Sequence, residues 1–165
     1  MRGSRSLAVE RGQPPPVAAK EAAYTSPVAD ETVRKVAERL DAAMNAHDVD
    51  AFVALFADDY DSVQPAHPDR AFRGREQVRE NWSAVFAGVP DFRSELVRMC
   101  AEGDTVWSEW HWHGTQAGDV PLEMAGVIVM GIRDEQIAWA RLYVEPIDQA
   151  GAGIDAAVQR MSGDR

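Results

Sequence analysis

Lysine, cysteine and long apolar runs are all scarce in this chain, and each shortage closes off a class of function. Lys20 and Lys35 are the two lysines in 165 residues, and 17 basic side chains face 27 acidic ones, for a formal net charge of −10 at pH 7. A phosphate backbone recruits clustered Lys and Arg, so this acidic field argues against nucleic acid as a partner. Cys100 is the single cysteine, so neither an intrachain disulfide nor a cysteine-based metal cage can form. No segment approaches the roughly 18 apolar residues that a membrane-spanning helix needs, and nothing resembles a secretory leader. No membrane partner is expected, and the expected setting is cytoplasmic.

Hydrophobic residues, by contrast, make up 45% of the chain and include five tryptophans, enough for one domain with a substantial core. The opening "MRGSRSLAVERGQPPPVAAKEAAYTSP" has no apolar run and carries Pro14-Pro15-Pro16, so residues 1–27 read as a disordered or tag-like tail. A helical pattern then begins, with Ser26 as cap and Pro27 at the first helical position. Val33, Val36, Ala37, Leu40 and Met44 recur at threes and fours. Asp48 can cap a short second helix whose Val49, Phe52, Val53 and Phe56 share a face. "ADDYDSVQP" reads as a first strand ended by Pro65. After the loop "AHPDRAFRG", a third helix from about Arg75 to Ala87 presents Val78, Trp82, Val85 and Phe86, and Gly88 ends it.

Beyond Pro90 the period changes from 3.6 to 2. Four strands, near 91–101, 104–115, 122–132 and 136–145, are joined by the short links "EGD", "QAGDV" and "RDEQ", so neighbours must be antiparallel. Residues 149–165 read as a flexible tail with room for a short helix. Helices followed by a meander predict an α+β fold: three N-terminal helices packed in a curved, mostly antiparallel sheet of five to six strands, a cone-shaped half-barrel. A flat sheet over a solid core is the alternative.

"WSEWHWHGT", Trp107 to Thr115, poses the question of the site. Glu109, His111 and His113 share one strand face and could offer three metal ligands. Trp110 and Trp112 share the other and could wall an apolar cavity. Two tryptophans are costlier to leave in water than two histidines, which favours the indoles inside. A cupin-type metal site would need a glutamate where Ala117 and Gly118 stand. A structural metal is not expected.

"VRKVAERLDAAMNAHDVDAFVALFADDY" resembles the opening helices and first strand of the nuclear transport factor two-like superfamily. "GDTVWSEWHWHGTQAGDVP" and "VIVMGIRDEQIAWARLY" resemble its central strands, particularly in the SnoaL-like polyketide cyclase branch. The likeness covers residues 28–148. It implies a conical α+β barrel with a deep apolar pocket, often dimeric, and is far more specific for fold than for activity. Laid on the patterns of limonene epoxide hydrolase and ketosteroid isomerase, Trp110 and Trp112 take inward places.

The family's acids do not carry over. Leu142 stands where cyclases and epoxide hydrolases have an aspartate, and Gln64 where steroid isomerases have their general base. Their oxyanion-hole acid falls near Val127 and their oxyanion tyrosine near Leu40. The expected substrate-binding wall is therefore Tyr60, Ser62, Trp82, Trp110, Trp112, Val127 and Leu142. Gln64 would orient a carbonyl, and Glu123, assigned inward parity on the fourth strand, would move the proton. Solvation at the strand's start is the bland reading of Glu123, and an ordinary buried hydrogen bond that of Gln64. His67 lies on the loop expected at the cavity mouth. Trp139, Arg141, Tyr143 and Glu145 share outer parity and look like a homodimer contact on the convex face. Three readings stand open: a cofactor-free cyclase or isomerase acting on a hydrophobic aromatic or polycyclic molecule, a non-catalytic binder of such a molecule, and a dimeric interaction module.

Overall fold

The computed structural model describes residues 27–148, 151 and 153–163. Most of the expected N-terminal tail lies outside the described residues, as do Gln149, Ala150 and Ala152.

Helix α1, Pro27–Ala46, buries Val33, Val36, Ala37, Leu40, Ala43 and Met44, the stripe its spacing dictates. Its end is fixed by specific bonds. His47 adopts the left-handed region (φ 53°), donates from Nε2 to the Phe92 carbonyl at 2.9 Å and stacks on Phe86 at 4.8 Å. Asn45 donates to the Ser94 carbonyl at 2.8 Å and accepts from the Ser94 N–H at 3.0 Å, so one amide side chain satisfies both backbone groups of a strand residue.

Asp48 caps helix α2, Val49–Val53, by accepting from Ala51 N–H at 2.9 Å. Phe56 opens strand β1, Phe56–Val63, rather than closing the helix face expected of it. The loop after β1 contains a single 3-10 turn at Pro68–Arg70 and a short strand β2, Phe72–Arg73, which pairs antiparallel with β1. Helix α3, Arg75–Gly88, follows. The meander comprises β3 (Arg93–Glu102), β4 (Thr105–Gln116), β5 (Val120–Arg133) and β6 (Gln136–Pro146). Helix α4, Ile154–Ser162, comes last and buries none of its side chains.

The six strands form one unclosed, curved sheet in the order β2-β1-β6-β5-β4-β3, antiparallel except for the parallel β1–β6 pair. That parallel contact brings the first strand, which follows the helices, beside the last. The concave face thus folds over α1, α2 and α3, as an α+β cone requires.

Register decides which side chains enter the cone. Trp112 sits opposite Met124, Trp110 opposite Gly126 and Ser108 opposite Ile128. Even-numbered residues of β5 therefore face inward through Met130, and odd-numbered ones outward. This corrects the inward assignment of Glu123 and Val127. Glu123 pairs across the sheet with His113 and Val127 with Glu109, and both lie on the convex face. The physical reason is that "EMAGVIVM" is apolar at both parities, so alternation cannot set the register.

Candidate functional site

Between α3 and the concave sheet lies a cavity of about 210 Å³. Strand β1 contributes Tyr60, Ser62 and, just past its end, Gln64; α3 contributes Val78, Asn81, Trp82 and Val85. Trp112 of β4, Ile128 and Met130 of β5, and Ala140 and Leu142 of β6 form the opposite wall, with Leu40, Phe52 and Phe72 among the apolar remainder. An adjoining cleft of about 620 Å³ shares Trp82, Val85 and Trp112 with the cavity. Gly88, Phe92, Gln116 and Met124 help to line this cleft. Trp82 and Trp112 meet edge to face at 5.6 Å and stand as a partition between the two spaces.

The expected site residues divide by the structure. Tyr60, Ser62, Gln64, Trp82, Trp112 and Leu142 do come together around the cavity. Trp110 points inward but lines neither space. It is fully buried in the core, and its indole N–H donates to Ser108 Oγ at 2.8 Å, which in turn donates to the Ile128 carbonyl at 2.9 Å. Glu123 faces away and pairs with His111 Nε2 at 2.8 Å. Val127 is 37% exposed on the convex side. His67 also turns away, with its Nε2 2.9 Å from Glu145 of β6.

Asn81 was not legible as a site residue, although a signal existed. It lies three residues after Val78 and one before Trp82, at the edge of the apolar stripe of α3. Phe72 was missed because a strand of two residues is too short to carry a pattern.

The chemistry of the cavity follows from its lining. Tyr60 is its one titratable side chain among the described residues. Burial pushes the Tyr60 phenol up to about 12, against the pull of a hydrogen bond with Ser62. Ser62, Gln64 and Asn81 supply neutral hydrogen-bonding groups. The indole N–H of Trp112 is buried and has no partner, an arrangement that costs about 1–3 kcal/mol until an acceptor arrives. Such a lining can bind and orient an uncharged molecule and polarise a carbonyl. It holds no carboxylate or imidazole to carry a proton.

The histidine face lies on the other side of the sheet. His111 stands between Glu123 at 2.8 Å and Glu95 at 4.0 Å, and its ring is 5.5 Å from that of His113. Glu109, the third residue of the supposed metal triad, is paired with Arg98 instead. Among the described residues no cluster of three His, Cys, Asp or Glu side chains is arranged to hold a metal ion. No helix among them is long and apolar enough to cross a membrane.

Comparison with known proteins accords with this geometry. A candidate SnoaL-like polyketide cyclase of Jannaschia sp. CCS1 superposes with a TM-score of 0.63 at 18% identity, over 85% of this chain and 97% of that one. IdmH, a candidate polyketide cyclase of Streptomyces antibioticus, gives 0.60 at 22% identity, over 68% and 91%. A ketosteroid isomerase-like protein of Catenulispora acidiphila, solved in complex with trimethylamine, gives 0.58 at 22% identity, over 65% and 82%. At these identities the likeness shows the fold. No curated protein matches the chain. The model of the SnoaL-like domain matches residues 37–140, more than half of the sequence, and the chain therefore belongs to the SnoaL-like domain family.

Proposed function

We propose that this chain binds a hydrophobic aromatic or polycyclic small molecule in the cavity between α3 and the sheet, and holds it by neutral hydrogen bonds. The carrying observation is the lining itself: aromatic and aliphatic walls, four neutral polar side chains, and no acid or base with an ordinary titration. At about 210 Å³ the cavity alone suits a bicyclic skeleton, below the roughly 300–1,000 Å³ of typical ligand pockets. A larger polycycle would extend past Trp82 and Trp112 into the cleft. Tryptophan emission should change saturably as such a ligand is titrated in, because two indoles form the partition. An unchanged spectrum, with no heat of binding, would defeat the reading.

Tyr60 supports a second reading, in which the bound molecule also reacts. A phenol that stays protonated to about pH 12 can donate to a carbonyl without surrendering its proton, and so polarise a ketone held in place for ring closure or isomerisation. The candidate polyketide cyclases among the similar structures favour that class of chemistry. Glu123 has no part in it. The chain would act as a template, with Gln64, Ser62 and Tyr60 orienting the substrate.

The assembly we propose is a homodimer through the convex sheet face. Trp107 is 51% exposed and Tyr143 is 47% exposed there, beside Val127 and Trp139, more aromatic surface than a monomer usually leaves in water.

A further inference from the structure

Arg70 holds the Gln64 amide in one orientation. Its Nη1 donates to Gln64 Oε1 at 3.2 Å. A guanidinium has donors and no acceptor, so the amide atom facing it is the oxygen. Arg70 makes no ion pair among the described residues, and Gln64 is the side chain it bonds. The NH2 end of Gln64 is thus left for whatever enters the cavity, which Gln64 lines. Without Arg70 the amide could turn over and present either end. Independently, Trp112 brings a second donor to the same cavity wall, an indole N–H that is buried and unpartnered.

We propose that Arg70 is a positioning residue that fixes Gln64 as a donor, and that Gln64 and Trp112 together select a ligand bearing acceptors: a ketone or quinone in preference to the alcohol or hydrocarbon of the same skeleton. This rests on the reading of the cavity as a site for a hydrophobic small molecule, and it adds the functional group that the molecule must carry. An alcohol directs a hydroxyl proton at a donor and must rotate it away, whereas a hydrocarbon leaves both donors unpaired. Arg70 lies on the exposed turn at Pro68–Arg70, outside the core, so its replacement leaves the buried packing intact.

Three bicyclic probes that differ at one carbon test the proposal by titration calorimetry: tetralin, 1-tetralol and 1-tetralone. Wild type should bind the ketone on the order of fivefold to tenfold more tightly than the other two, the range for one or two neutral hydrogen bonds. Arg70→Ala should bring the ketone-to-alcohol ratio to within about twofold, and Arg70→Lys, which still donates to Oε1, should restore it. Trp112→Phe keeps an aromatic wall and should lower the ketone-to-tetralin ratio. Each ratio is taken within one preparation, so partial unfolding of a variant cancels. A ketone preference that survives Arg70→Ala unchanged would overturn the positioning role while leaving the cavity reading intact. Failure of wild type to bind any of the three would overturn both.

Discussion

Trp110 and Trp112 leave the same face of β4, yet their indole N–H groups meet different fates. That of Trp110 is satisfied by Ser108, and the ring fills the core; that of Trp112 is unpaired, and the ring walls the cavity. Parity places both rings inside, but only tertiary packing separates filler from wall. Glu123 carries the opposite lesson, since one residue of register moved it from the presumed site to an ion pair with His111. Glu123→Gln, and His111 and His113 replaced together by glutamine, should each leave ligand affinity within about a factor of three, roughly 0.6 kcal/mol, by calorimetry. A larger loss would return the histidine face to the functional site. Tyr60 makes a prediction in pH. Its phenol ionises near 12 in the fold, whereas an unfolded tyrosine does so near 10, so the neutral form is favoured by folding. The corresponding stability is fully present below pH 10 and is lost as pH rises through about 12. It amounts to about 2–3 kcal/mol over that window. Urea midpoints of wild type should fall more steeply above pH 10 than those of Tyr60→Phe, and parallel curves would contradict the burial of this phenol.

The elements were legible in proportion to how cleanly their two faces differ. Helix α1 alternates buried aliphatics with charge, and β4 alternates tryptophan with histidine and glutamate, so each declares its inner side. Strand β5 does not: Val127 and Val129 on one face are as apolar as Ile128 and Met130 on the other. The parallel β1–β6 pairing is a long-range contact that no local pattern announces. The turn between β5 and β6 is readable and improvable. Asp134 and Glu135 both take positive φ, 52° and 59°, as a two-residue hairpin of mirror-image type demands. Aspartate tolerates that region and glutamate does so poorly, whereas glycine enters it freely. Glu135→Gly should therefore stabilise the protein by about 0.5–1 kcal/mol, allowing for the entropy that glycine adds to the unfolded chain. Thermal unfolding is the measurement, and a lower midpoint would mean that the Glu135 side chain does more than occupy the turn.

At the scale of the whole molecule, the fold has two working faces. The concave face encloses the cavity, and the convex face leaves Trp107, Tyr143 and Val127 in water. Light scattering should report about twice the 18.2 kDa chain mass, and Trp107→Arg should shift the population toward the monomer, because a charge buried in an aromatic contact is costly. A wild-type monomer at micromolar concentration would remove the convex face from the account. The central claim concerns the concave face: an uncharged ligand held by uncharged groups. Its most direct test is the affinity for 1-tetralone, measured by calorimetry from pH 5 to pH 9. Tyr60 is the one titratable group lining the cavity, and it ionises far above this range. The predicted result is saturable binding of one ligand per chain, with an affinity constant to within about twofold across the window. No binding at any pH, or an affinity that follows an ionisation between pH 5 and pH 9, would contradict it.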